Sequence, residues 1–258
     1  MEPIMLFLMY SALLVAISLI GAYLPMFGRK DDGRTHLMIA ISAGIFLGLL
    51  LFMLLPEALE ESEEGGIDTH YSMIVLALGF LAILILEKLM DHLHHDKCGC
   101  HEDGHSHKLV SVSSYIGLAI HAACDGLALA AMFMAGEEVG LMATIGLCIH
   151  KFAELFSLSS TMLLSDYTRR SSLVRLGIFA LITPITGTLF FMLFSGMEVE
   201  GLLGLPLMFA SGTLLYVTMC DMLPEAFHRE EKEMKSLALI LLGVGLMLAI
   251  ALLFPHVH

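Results

Sequence analysis

Apolar residues along this chain gather in long blocks instead of alternating with polar ones. Eight such blocks stand out, at 3–27, 36–56, 70–90, 112–135, 139–164, 172–195, 201–223 and 235–255. A hydrocarbon layer of about 30 Å takes about 20 residues of helix to cross. Segments this long and this apolar must satisfy their own backbone polar groups in lipid, so all eight are predicted to be helices. The expected fold is an all-α membrane protein with eight transmembrane helices in one domain over 1–258. The first block lacks a basic flank and a small-residue cleavage site and is too long for a signal core, so it is read as a span.

Composition agrees: 57% of the 258 residues are apolar and 15% are charged, where a soluble domain carries about 25% charge. The placement of the charges says more than their number. Of the 13 basic residues, twelve fall in alternate loops, three to a loop. These are Arg29, Lys30 and Arg34; Lys88, Lys97 and Lys108; Arg169, Arg170 and Arg175; and Arg229, Lys232 and Lys235. The remaining loops and both termini have none. Basic loops stay in the cytosol, which predicts an even number of spans with both termini on the other side. The opposite loops are acidic, with Glu57, Glu60, Glu61, Glu63, Glu64 and Asp68, then Glu137 and Glu138, then Glu198 and Glu200. They are either solvated helix caps or a negative mouth that concentrates cations. The expected partners are the lipid bilayer and cations, not nucleic acid. Plasma or inner membrane and organelle membrane are equally compatible.

Two segments repeat. Leu55-Pro56-Glu57-Ala58 returns as Leu223-Pro224-Glu225-Ala226, with Gly44 matching Gly212 and Leu47 matching Leu215, all at an offset of 168 residues. The second and seventh spans run in opposite directions in this topology. The repeat therefore predicts inversion of spans 1–3 and 6–8 around spans 4 and 5, a 3+2+3 arrangement. Chance similarity between proline-ended apolar helices is the plainer reading. Inverted repeats place a binding site near the bilayer midplane, at the repeat interface.

The two central spans carry ionisable residues away from their ends. His121 and Asp125 lie in the fourth, and His150, Lys151 and Glu154 in the fifth. A charge at that depth costs about 2.5–3.5 kcal/mol on insertion scales and generally faces a protein interior. Residues four apart differ by only about 40° around a helix, so each His-x-x-x-acid pair shares a face. Two facing helices would aim two imidazoles and two carboxylates at one point. That donor set suits Zn²⁺ and accommodates Fe²⁺, Mn²⁺, Cd²⁺ or Co²⁺. Interhelical hydrogen bonds or salt bridges without a metal are the competing reading. Cys124 is read either as a soft ligand or as a small apolar residue. Thr183-Pro184 predicts a bend in the sixth span. Asp221, Glu225 and His228 near the end of the seventh are read as an exit path for an ion or as a hydrated helix terminus.

On these residues the chain resembles the ZIP family of metal transporters. His121-Ala-Ala-Cys-Asp125-Gly126 is similar to the family's His-Asn-x-x-(Asp/Glu)-Gly motif, and His150-Lys-Phe-Ala-Glu154 to its His-Glu-x-x-(His/Glu) motif. The resemblance covers nearly the whole chain. It implies an eight-helix 3+2+3 fold, outside termini and inward movement of zinc or a similar ion. Three positions depart from the family pattern, namely Ala122, Lys151 and Ala153. In two-ion members the first two positions help hold the second ion. Lys151 is therefore read as a second-site substitute that leaves a single-ion site, or as a residue turned elsewhere, for instance towards Asp221.

Between the third and fourth spans, a 91–108 loop carries His92, His94, His95, Cys98, Cys100, His101, His105 and His107. Such tracts bind metals by composition and need not fold. A regulatory role is expected there, on a reducing cytosolic side. Five cysteines at irregular positions make no disulfide framework. An intramembrane zinc hydrolase or a non-transporting metal sensor are the other functional readings. The hydrolase would need a general base and a substrate cleft that the sequence does not display. Glycines at 243 and 245 leave close helix contact, including a homodimer, open.

Overall fold

A computed structural model describes residues 3–26, 32–95, 104–135, 137–163, 168–194, 203–227 and 233–253. Among these residues the chain forms eight helical rods. Helix 1 is Pro3–Tyr23. Helix 2 runs as Asp32–Leu49, a wider π-helical stretch Leu50–Leu54, and Leu55–Glu64. Helix 3 is Thr69–His95, helix 4 Gly104–Ala135 and helix 5 Glu137–Met162. Helix 6 is Arg169–Ala180 followed by Ile182–Phe194. Helix 7 is Gly204–Tyr216, a π stretch Val217–Met222 and Leu223–Ala226, and helix 8 is Glu233–Leu253. Seven of the rods are long and apolar enough to cross a membrane. Helix 5 is not among those seven, and it is the rod that carries His150, Lys151 and Glu154.

The prolines explain the irregular stretches. Pro56 and Pro224 lack an N–H, and each ring crowds the carbonyl one turn back. The helix answers by widening just before each proline. The Leu55 N–H reaches the Leu50 carbonyl and the Leu223 N–H the Thr218 carbonyl, both five residues back. The apolar pattern predicts an end of helix 2 at 56; the π stretch instead lets it continue to Glu64. In helix 6, Pro184 leaves the preceding turn short of a donor. The rod breaks at Leu181, whose N–H closes a tight turn on the Ile178 carbonyl at 3.2 Å.

Helices pack in pairs: 8 on 2, 3 on 7, 1 on 5, and the second half of 6 on 4. Helices 4 and 5 meet each other, helix 2 also touches helix 5, and helix 7 also touches helix 4. Glycines set the closest crossings, Gly44 between helices 2 and 8 and Gly79 with Gly212 between helices 3 and 7. A Cβ on Gly44 would lie 2.1 Å from the Ile240 carbonyl oxygen, and one on Gly212 would lie 2.0 Å from that of Leu76. Gly243 likewise faces the backbone of helix 2, so its close contact is made inside the chain. Helices 2 and 7 are mostly buried, 61% and 67% of an 18-residue apolar stretch in each, while the same stretch of helices 3 and 8 is 17% and 22% buried and presents apolar residues outward. The interior holds two large apolar clusters. One is built around Phe46, Leu118, Leu155, Phe179 and Val217, the other around Phe7, Leu129, Phe133 and Phe191.

Candidate metal centre

The apolar clusters leave a polar layer between them. On helix 4, Leu118 and Ala122 belong to one cluster and Leu129 to the other; on helix 5, Leu155 belongs to the first and Cys148 packs on the second. His121, Asp125, His150, Lys151 and Glu154 lie in this layer, and all are buried. Helical spacing puts the members of each pair on one face, and the packing of helix 4 on helix 5 brings the two faces together.

The donor atoms converge. His121 Nε2 lies 3.0 Å from His150 Nε2. Asp125 Oδ2 is 3.5 Å from the first and 3.3 Å from the second. The two imidazoles stack with ring centres 5.1 Å apart and planes 18° from parallel. Among the described residues these three form the one group able to close on a metal ion. Zinc binds imidazole nitrogen and carboxylate oxygen at about 2.0–2.2 Å, so tetrahedral neighbours stand about 3.3–3.5 Å apart. Two edges of the triangle, 3.3 and 3.5 Å, match one face of such a tetrahedron, and the 3.0 Å edge between the imidazoles is somewhat shorter. A donor set of two neutral nitrogens and one anionic oxygen suits zinc and its first-row neighbours.

Lys151 completes the layer. Its ammonium lies 2.7 Å from Asp125 Oδ2 and hydrogen-bonds Glu154 Oε2, so it does not turn towards Asp221. Glu154 is held by one oxygen, while its Oε1 is buried without a hydrogen-bond partner. With the imidazoles neutral, two carboxylates and one ammonium give the cluster a formal charge of −1. Cys124 is half-buried and is not part of the convergent group. Thr183 donates a 2.9 Å hydrogen bond to the Ala122 carbonyl, which fixes the bend of helix 6 against the helix 4 turn next to His121.

The other sites expected from the sequence are scattered. Asp221 is buried in the π stretch of helix 7. Glu225 pairs with His36 of helix 2, Oε1 to Nδ1 at 3.4 Å, and its carbonyl lies 3.3 Å from the same nitrogen. His228 lies outside the described residues, as do Cys98, Cys100 and His101 of the loop. Nothing is described of the side chains of His94, His95, His105 and His107, and His92 is exposed. Sequence reasoning missed His36 and the 2.5 Å hydrogen bond from the Tyr216 hydroxyl to Glu87 Oε2. Both join residues more than 100 positions apart, and neither belongs to a spaced motif.

A helical membrane protein with a buried imidazole–carboxylate cluster between two central helices falls in the class of metal carriers, and comparison with known proteins agrees. The sequence profile of the family described as ZIP zinc transporter matches residues 5–114 and 91–251. The zinc transporter ZIP9 of Micropogonias undulatus is 26% identical over 265 aligned positions, covering 83% of this chain and 84% of that protein. ZIP9-B of Xenopus laevis is 23% identical over 301 positions, covering 96% and 98%. The zinc transporter YKE4 of Saccharomyces cerevisiae is 30% identical over 156 positions, 54% of this chain and 44% of that protein. The chain belongs to the ZIP family: it is an integral membrane metal transporter and not an enzyme.

Proposed function

We propose that this protein moves one divalent metal ion at a time, zinc first, from the side of its acidic loops into the cytosol. The ion passes through a single site formed by His121, Asp125, His150 and Glu154. The observation that carries the reading is the triangle of donor atoms at 3.0, 3.3 and 3.5 Å. Glu154 lies outside the convergent trio; its Oε1, buried and unpartnered, would have to swing in as the fourth donor. Relatives named zinc transporters favour zinc, and the same donors accept Fe²⁺, Mn²⁺, Cd²⁺ or Co²⁺.

Lys151 stands in for a second ion. Its ammonium bridges Asp125 and Glu154, as a second cation shared by both carboxylates would. One M²⁺ raises the cluster from −1 to +1. A second divalent ion would then meet net repulsion of several kcal/mol at these distances, even at an effective dielectric constant of about 20.

The proposed frame is eight transmembrane helices in a 3+2+3 arrangement, with both termini outside. The packing supports it. Exchanging helix 1 with 6, 2 with 7, 3 with 8 and 4 with 5 maps the helix pairings onto themselves. The π stretches before Pro56 and Pro224 recur at the same offset as Gly44 and Gly212. Movement of the two repeats about helices 4 and 5 would open the layer to each side in turn. Asp221 and Glu225, with His228, would receive the ion on the cytosolic side.

Reconstituted protein should accumulate zinc in liposomes, and His121→Ala and His150→Ala should each abolish uptake while leaving the helices folded. A wild type that binds zinc without accumulating it sinks the proposal.

A further inference from the structure

Helix 6 starts with three arginines in its first seven residues, Arg169, Arg170 and Arg175. Thr168 caps it, its hydroxyl accepting from the Ser171 N–H at 3.3 Å. Contacts with helices 1 and 4 hold this end in place. Arg169 donates to the Met26 carbonyl after helix 1, and the Tyr115 hydroxyl of helix 4 donates to the Arg175 carbonyl at 3.1 Å. Beside it opens a recess of about 680 Å³ whose polar lining is Tyr115, Thr168, Arg170, Ser171 and Arg175. Among the described residues, none that lines it is acidic.

The apolar lining of the recess is Val174 and Ile178. These two begin a row of exposed apolar residues that goes on past the break to Leu181, Ile185 and Leu189. A cationic recess therefore runs into an outward-facing hydrocarbon track. The chemistry complementary to both at once is an anionic headgroup joined to an acyl chain.

We propose that this recess seats one anionic phospholipid of the leaflet next to the basic loops, its phosphodiester between Arg170 and Arg175 and one acyl chain along Val174, Ile178 and Leu181. Basic pockets between transmembrane helices are suited to such headgroups, each basic side chain contributing about 1 kcal/mol near the surface. That corresponds to about five-fold in affinity for each arginine and about thirty-fold for both. The site is separate from the metal layer and does not depend on the transport reading.

Native mass spectrometry of the full-length protein tests it, with equal amounts of dioleoyl phosphatidylglycerol and dioleoyl phosphatidylcholine. Wild type should keep the anionic lipid with a preference of about thirty-fold. Arg170→Gln with Arg175→Gln should remove that preference, and the paired change to lysine should keep most of it. Lys88→Gln with Lys235→Gln removes the same charge elsewhere and should change nothing. The proposal is overturned if the double glutamine variant retains the preference, or if the Lys88 and Lys235 changes lower it equally. It is also overturned if soluble glycerol phosphate displaces the lipid at matched concentration, since the acyl track then contributes nothing.

Discussion

Replacing Lys151 with methionine keeps most of the side-chain volume and removes the charge from the centre of the site. Lys151 is 3% exposed, and both of its carboxylate partners are as deeply buried. Its loss leaves Asp125 and Glu154 facing each other with no cation between them. Breaking a buried ion pair from one side costs about 3–5 kcal/mol. For a chain of this length that is roughly 6–20 °C in melting temperature. Zinc should behave as the missing charge, because one M²⁺ neutralises a cluster that now carries −2. The assay is thermal unfolding of purified protein in detergent, followed by circular dichroism, with and without saturating zinc. Metal-free Lys151→Met should melt well below wild type, and zinc should recover most of the gap. Zinc bound by the histidine-rich loop affects both proteins alike and cancels from the comparison. If the metal-free variant melts with wild type, or if zinc raises both by the same amount, the ammonium does not fill a cation position.

Lys151→Glu should turn a one-ion site into one that takes a second equivalent of zinc, read by titration calorimetry against the wild type. Gly212→Ala pushes a Cβ to within 2.0 Å of the Leu76 carbonyl oxygen. It should destabilise the protein by about 1–3 kcal/mol, while Gly245→Ala, with open space around it, should stay within about 0.5 kcal/mol. Both are read by the same melting assay. Tyr216→Phe removes the hydrogen bond to Glu87 and should cost about 1.5–3 kcal/mol in thermal unfolding without changing zinc affinity.

Much of this architecture is written locally in the chain. Long apolar blocks specify helices because lipid allows little else, and His121, Asp125, His150 and Glu154 are legible because four-residue spacing fixes a shared face. Helix ends were less legible. Pro56 looks like a stop, yet a π stretch absorbs the missing hydrogen bond and helix 2 goes on to Glu64. Lys151 was ambiguous for a different reason. Its place in the sequence fixes its helix and its height, but which carboxylate it meets depends on how helices 4 and 5 turn towards each other. The pairings of His36 with Glu225 and of Glu87 with Tyr216 depend on helix packing alone, and no spacing along the chain announces them.

Anomalous diffraction at the zinc edge, on crystals of the full chain grown with zinc, reports most directly on the proposed ion site. One peak is expected within the membrane-spanning region, about 2.0–2.2 Å from His121 Nε2, His150 Nε2 and an Asp125 oxygen. Two peaks about 3.5–4 Å apart, or a bare cluster with the metal bound elsewhere between the helices, would contradict the single-ion account.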